Sequence, residues 1–88
     1  MVDKTKNILV IAEHKKIEAL RMATGLMLLD DPVRVAVLGE LPISEDTDLQ
    51  LESLEFAEVP VHHFNGAEER DVQRLGEALT EADVVYVV

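Results

Sequence analysis

The sequence predicts an α/β fold: a single small domain over residues 1–88, with a mainly parallel four-stranded sheet flanked by about three helices. Three observations predict it. Short β-branched runs alternate with longer segments of helical period, in the order β-α-β-α-β-α-β. The first run is apolar at successive positions, as in strands of parallel sheets, which are buried on both faces. No internal repeat, low-complexity segment or linker interrupts the order, and parallel neighbours then require right-handed crossovers.

Asn7-Ile8-Leu9-Val10-Ile11-Ala12 reads as the first strand. Glu13 to Leu29 reads as a helix of roughly four turns, because Ile17, Leu20, Ala23 and Met27 recur at three to four and Ala19, Met22 and Leu26 widen the stripe. Gly25 inside it costs about 1 kcal/mol relative to Ala, and close approach of helix to sheet is the expected reason. Asp30-Asp31-Pro32 ends the helix, since Pro disfavours helical geometry in the residue before it. Val33 to Leu38 is the second strand, closed by Gly39, and Leu41-Pro42-Ile43-Ser44 is loop. Ser44 or Asp46 is placed to cap a helix over about Thr47 to Ala57, with Leu51, Leu54 and Phe56 inward.

Val59 to Phe64 reads as the third strand, with Pro60 at its start, where Pro is tolerated. Asn65-Gly66 is a turn signal. Glu68 to Glu81 reads as the third helix, carried by Val72, Leu75, Ala78 and Leu79. Acidic Glu68, Glu69 and Asp71 at its first turn suit the helix dipole. Asp83 to Val88 is the fourth strand.

Composition excludes several functions. There is no Cys, which removes disulfides, thiolate zinc sites, iron–sulfur clusters and cysteine nucleophiles. Eighteen acidic against eight basic residues give a formal charge of −10, the wrong sign for a general nucleic-acid binder. The apolar runs are far shorter than the roughly 20 residues that span a bilayer, so no membrane association is expected. No secretory signal follows MVDKTK, so a cytoplasmic setting is expected. A domain of this size buries only roughly 60–65% of the surface its unfolded chain exposes, and association would help it. The charge is uneven. Between Arg34 and Arg70 there is no Lys or Arg, while Glu40, Glu45, Asp46, Asp48, Glu52, Glu55 and Glu58 fall there. The run reads as a solvated helix face plus a polar loop, or as an acidic face that steers a basic partner.

Ligands of open α/β sheets bind beyond the carboxyl ends of the strands. The candidate ligand-binding residues are therefore Glu13 and His14 after the first strand, Gly39 after the second, and His63, Asn65 and Gly66 at the end of the third. His14 beside Glu13 is the leading candidate, as general base, proton donor or ligand anchor, against the plain alternative of a solvent-exposed histidine. His62-His63 is not expected to bind metal, because successive side chains on a strand diverge; one is expected to pack under a helix. No catalytic residue, metal ligand or cofactor is assigned. The turn Ala12-Glu13-His14-Lys15-Lys16 matches neither a dinucleotide fingerprint nor a P-loop, and its carboxylate repels phosphate. A phospho-receiver would need an Asp where Asn65 stands, and no nucleophile elbow is present.

The segment Glu18-Ala19-Leu20-Arg21-Met22-Ala23-Thr24-Gly25-Leu26-Met27-Leu28, followed by Val33-Arg34-Val35-Ala36-Val37-Leu38-Gly39, resembles the DsrE/DsrF/DsrH-like family of small α/β sulfur-relay proteins. The resemblance covers about residues 8–39 by residue pattern and most of the chain by arrangement. It implies a flavodoxin- or DsrE-like sheet and assembly as a homo- or hetero-oligomer. Some members carry a persulfide on a Cys and pass sulfur in oxidation or tRNA-thiolation pathways. This chain has no Cys, and the thiolate is the nucleophile of that exchange, so no catalytic residue carries over. The implied role is a non-catalytic subunit, a partner-binding module or a diverged relative. The Glu13-His14 junction would then line the family's interface or pocket region. The alternative is a small enzyme or ligand-binding domain using Glu13, His14 and residues near Asn65, with its small molecule unknown.

Overall fold

Four parallel strands form one sheet in the order β3-β2-β1-β4, with three helices as crossovers, in a computed structural model that describes residues 6–26, 31–64 and 69–88. The elements are β1 (Ile8–Ala12), α1 (Lys16–Leu26), β2 (Val33–Leu38), α2 (Glu45–Phe56), β3 (Val61–Phe64), α3 (Glu69–Glu81) and β4 (Val84–Val87). β1 is central and all five of its residues are buried. That burial on both faces explains its unbroken apolar run. Among the described residues, no helix is long and apolar enough to cross a membrane.

Residues paired across parallel strands share a face, so the register sorts the core. Ile8, Val10 and Ala12 join Val33, Val35 and Val37 under α1 and α2, where Ala19, Leu20, Ala23 and Leu54 complete the larger cluster. Leu9, Ile11, Ala36 and Phe64 form a smaller cluster on the other face, with Leu75, Ala78 and Ala82 packed on it.

Several expectations are corrected. α1 starts at Lys16, not Glu13. The Glu13 and His14 amides donate to the Val88 carbonyl at 2.9 and 3.0 Å, so this stretch prolongs the β1–β4 pairing before the chain can wind. The Lys15 carbonyl then accepts the Ala19 amide and opens the helix. The expected end of this helix at Met27 to Leu29 lies outside the described residues. Gly25 makes no close approach to the sheet: it is exposed, and a Cβ there would meet nothing within 4 Å among the described residues. Met22 sits on the exposed border of the stripe.

Ser44 caps α2, its Oγ accepting the Thr47 amide at 3.1 Å. Leu54 is fully buried and Leu51 half-buried, but Phe56 is 92% exposed. Two positions on from Leu54 is about 200° around the helix, which turns Phe56 to solvent. α2 ends in a Schellman motif: the Glu58 amide donates to the Glu55 carbonyl at 3.0 Å and the Val59 amide to the Leu54 carbonyl at 2.9 Å. Glu58 occupies the left-handed position, with φ 60°.

β3 opens at Val61, although the Pro60 carbonyl already accepts the Val35 amide. On α3 only Leu75 and Ala78 of the four expected residues seat on the sheet, followed by Ala82. Val72 and Leu79 flank that stripe and are exposed. Neither His62 nor His63 packs under a helix: both are exposed, because β3 stands at the end of the described sheet.

Candidate functional site

The strand order reverses between β1 and β4, where sheets of this class place ligands beyond the strand ends. Here that point is occupied by backbone. The Val88 carbonyl takes both the Glu13 and His14 amides, and the Val88 amide donates to the Ile11 carbonyl at 3.0 Å. The amides that an anion at the switch point would use are therefore already spoken for.

The open crevice lies one strand away, over the carboxyl ends of β1 and β2. His14, Lys15, Lys16, Glu40, Leu41 and Pro42 line it, and its volume is about 560 Å³. The His14 Nε2 stands 3.7 Å from the Glu13 carboxylate, with both side chains well exposed. A pair so open to water contributes little to stability and leaves the imidazole accessible. Lys16 crosses the crevice, and its Nζ donates to the Glu40 carbonyl at 2.8 Å. Gly39 makes room for that bridge. Its φ is +82°, and a Cβ on it would lie 3.3 Å from the Lys16 Nζ. The Gly39 amide also donates to the Phe64 carbonyl at 3.1 Å, which ties this turn to β3. The positive φ is what favours Gly at this position, and the missing Cβ leaves the Lys16 ammonium undisturbed.

The structure thus brings Glu13, His14 and Gly39 together at the crevice, whereas His63, near the same carboxyl end of the sheet, is not part of it. The His63 side chain lines a separate groove of about 510 Å³, with Leu51, Glu55, Glu58, Val59, Pro60 and Val61, between α2 and β3. Its neighbour His62 is on the opposite face, with its ring 6.2 Å from that of Phe64, so the two imidazoles diverge as strand geometry requires. Asn65 and Gly66 lie outside the described residues. Lys16, like Lys15 and Glu40, follows a strand end in the sequence, but the sequence reads it as a solvated helix edge and not as part of the site. Its available signal was a lysine at the fourth position after one strand, facing a glycine that closes the next.

Another hollow, of about 810 Å³, lies at the opposite, amino end of the strands, beside Asn7, Val33, Arg34 and Pro60. Its polar groups are structural ties. Arg34 pairs with Glu81 at 3.0 Å, and the Asn7 amide donates to the Asp83 carboxylate at 2.8 Å while the Asn7 carbonyl accepts the Asp83 amide. Among the described residues, no group of three or more His, Asp or Glu is arranged to hold a metal ion. No family model matches the chain, and no curated protein matches it.

Proposed function

We propose that this protein is a non-catalytic binding domain of DsrE-like fold that assembles with itself or with other chains, in association with sulfur relay in the cytoplasm. The observation that carries the reading is unfilled apolar surface. Parallel sheets are normally covered on both faces. Among the described residues α3 alone lies on the second face, Val85 and Val87 of β4 stay exposed beside it, and Val72 and Leu79 of α3 are exposed as well. A second chain over these side chains would remove apolar area that a small domain has few other ways to bury. The absence of Cys removes persulfide transfer and leaves binding as the role that the family resemblance implies.

Size-exclusion chromatography with light scattering tests self-assembly. The expected result is a mass above 9.8 kDa that rises with concentration, and a monomer at high micromolar concentration overturns it. Affinity capture from the native host tests the sulfur-relay association, which consistent absence of sulfur-relay proteins among the partners overturns.

The crevice at His14, Lys15, Lys16 and Glu40 favours a second reading, a small-molecule site. NMR titration of His14 with candidate anions tests it. A His14 that stays solvent-like with every ligand rules it out.

A further inference from the structure

We propose that the outer edge of β3, with the groove between it and α2, docks an extended basic segment of a partner protein by strand addition. The proposal rests on the partner-binding reading and names the surface and the chemistry of the partner.

Backbone pairing comes first. The Pro60 carbonyl accepts the Val35 amide at 2.9 Å, and the Phe64 carbonyl accepts the Gly39 amide at 3.1 Å. Alternate residues of a parallel strand serve the same neighbour, so Pro60, His62 and Phe64 face β2. The amides and carbonyls of Val61 and His63 then point to the outer edge. No described residue pairs with them, and β3 is terminal in the described sheet. Such an edge is a template for another strand.

The two sides of this edge differ in chemistry. On the α2 side lies the groove of about 510 Å³, its floor made by Leu51, Val59 and Val61 and its rim by Glu55, Glu58 and His63. On the other side, the Arg74 guanidinium sits 5.8 Å from the centre of the Phe64 ring. Side chains of an added strand alternate between these sides. Lys fits the first: its aliphatic stem covers apolar floor while its ammonium reaches the acidic rim. Lys does not fit the second, where it meets a cation. The edge therefore selects a segment with Lys at every second residue and small polar residues between.

Charge also decides against a second copy of this chain. Two copies paired antiparallel, edge to edge, would place two Glu55–Glu58 rims on the same face, and no Lys or Arg lies between Arg34 and Arg70 to offset them. Both rim acids sit at positions unfavourable to stability. Glu55 is in the last turn of α2, where the helix dipole disfavours an anion, and Glu58 holds a left-handed φ that favours Gly.

Fluorescence anisotropy with a labelled eight-residue peptide of alternating Thr and Lys tests the proposal on the full chain. The expected result is saturable binding at least tenfold tighter than that of the Thr-Glu counterpart. N-methylation of every second residue, which removes the donors of one peptide edge, is expected to weaken binding tenfold or more at one of the two parities. General attraction to an acidic protein would not respond to N-methylation. The Glu55→Lys and Glu58→Gly variants are expected to raise the melting temperature while weakening the peptide, so lost binding is not misfolding. Amide shifts in NMR are expected to centre on Val61 and His63.

Equal binding of the N-methylated peptides, shifts centred elsewhere, or no binding at all overturns the proposal. If the peptide fails while light scattering shows self-association, the surface assignment falls and the assembly reading stands. If the peptide fails, the chain is monomeric and affinity capture from the host returns no sulfur-relay protein, both fall.

Discussion

Glu58 shows how one residue can set the end of a helix against the preference of its own side chain. The left-handed position of a Schellman motif is where Gly is favoured, because an L side chain there crowds the backbone. Glu58 holds that position at φ 60°, while both motif hydrogen bonds form and Val59 packs against the cluster containing Leu54. Replacing Glu58 with Gly keeps those bonds and removes the crowding. Glu58→Gly is therefore expected to stabilise the fold by about 1 kcal/mol, net of the entropy Gly adds to the unfolded chain. Urea unfolding monitored by circular dichroism checks it, and an unchanged or lower midpoint contradicts it. The other end of α2 was legible in the sequence, because Ser44 before an acidic first turn is a capping signal with a mechanism. Glu58 was not legible, because Glu carries no signature of the left-handed region. His63 was legible as a divergent neighbour of His62 but not as part of the α2–β3 groove, since its placement depends on which helix crosses beside β3.

At the scale of elements, the two sheet faces carry unequal loads. Leu54 of α2 has no exposure and lies in the larger cluster, so Leu54→Ala is expected to cost about 2–5 kcal/mol. Val72 of α3 is 56% exposed, so Val72→Ala is expected to change stability by less than about 0.5 kcal/mol. A large loss at Val72 would mean that α3 seats on another stripe. The periodicity of α3 grouped Val72, Leu75, Ala78 and Leu79, but it could not say that only Leu75 and Ala78 meet the narrow cluster around Phe64. Gly76 lies in the same helix, and a Cβ on it would meet nothing within 4 Å among the described residues. Gly76→Ala is thus expected to gain about 0.5–1 kcal/mol from reduced backbone freedom in the unfolded state, again read by urea midpoint. The start of α1 was misread for a reason of the same kind. Glu13 to Lys16 are acceptable helix residues, and the pairing with Val88 that holds the first of them extended is a contact across 75 positions of sequence, 88 − 13.

At the scale of the whole molecule, the alternation of elements specified a parallel α/β sheet, but not its order. Local pattern fixes what is a strand, while the order β3-β2-β1-β4 follows from which crossovers return on which side. The charge is likewise a global quantity. The formal total is −10, from 18 acids and 8 bases, and several of the cations are already engaged. Arg21 pairs with both Glu18 and Asp46, and Arg34 with Glu81. Exposed pairs of this kind contribute little each, so net repulsion is the larger electrostatic effect. The molecule has a radius of gyration of 12.9 Å. At 0.01 M salt the screening length is about 30 Å and every acid senses the others; at 0.15 M it is about 8 Å and only near neighbours interact. The folded chain holds its acids closer together than the unfolded chain does, so screening relieves the folded state more. The urea midpoint is therefore expected to rise as NaCl increases from 10 to about 150 mM, the range over which screening falls inside the molecular radius. Urea is the suitable denaturant because it adds no charge. A midpoint that falls with salt would assign the dominant electrostatic role to the Arg21 and Arg34 pairs, which the same screening weakens.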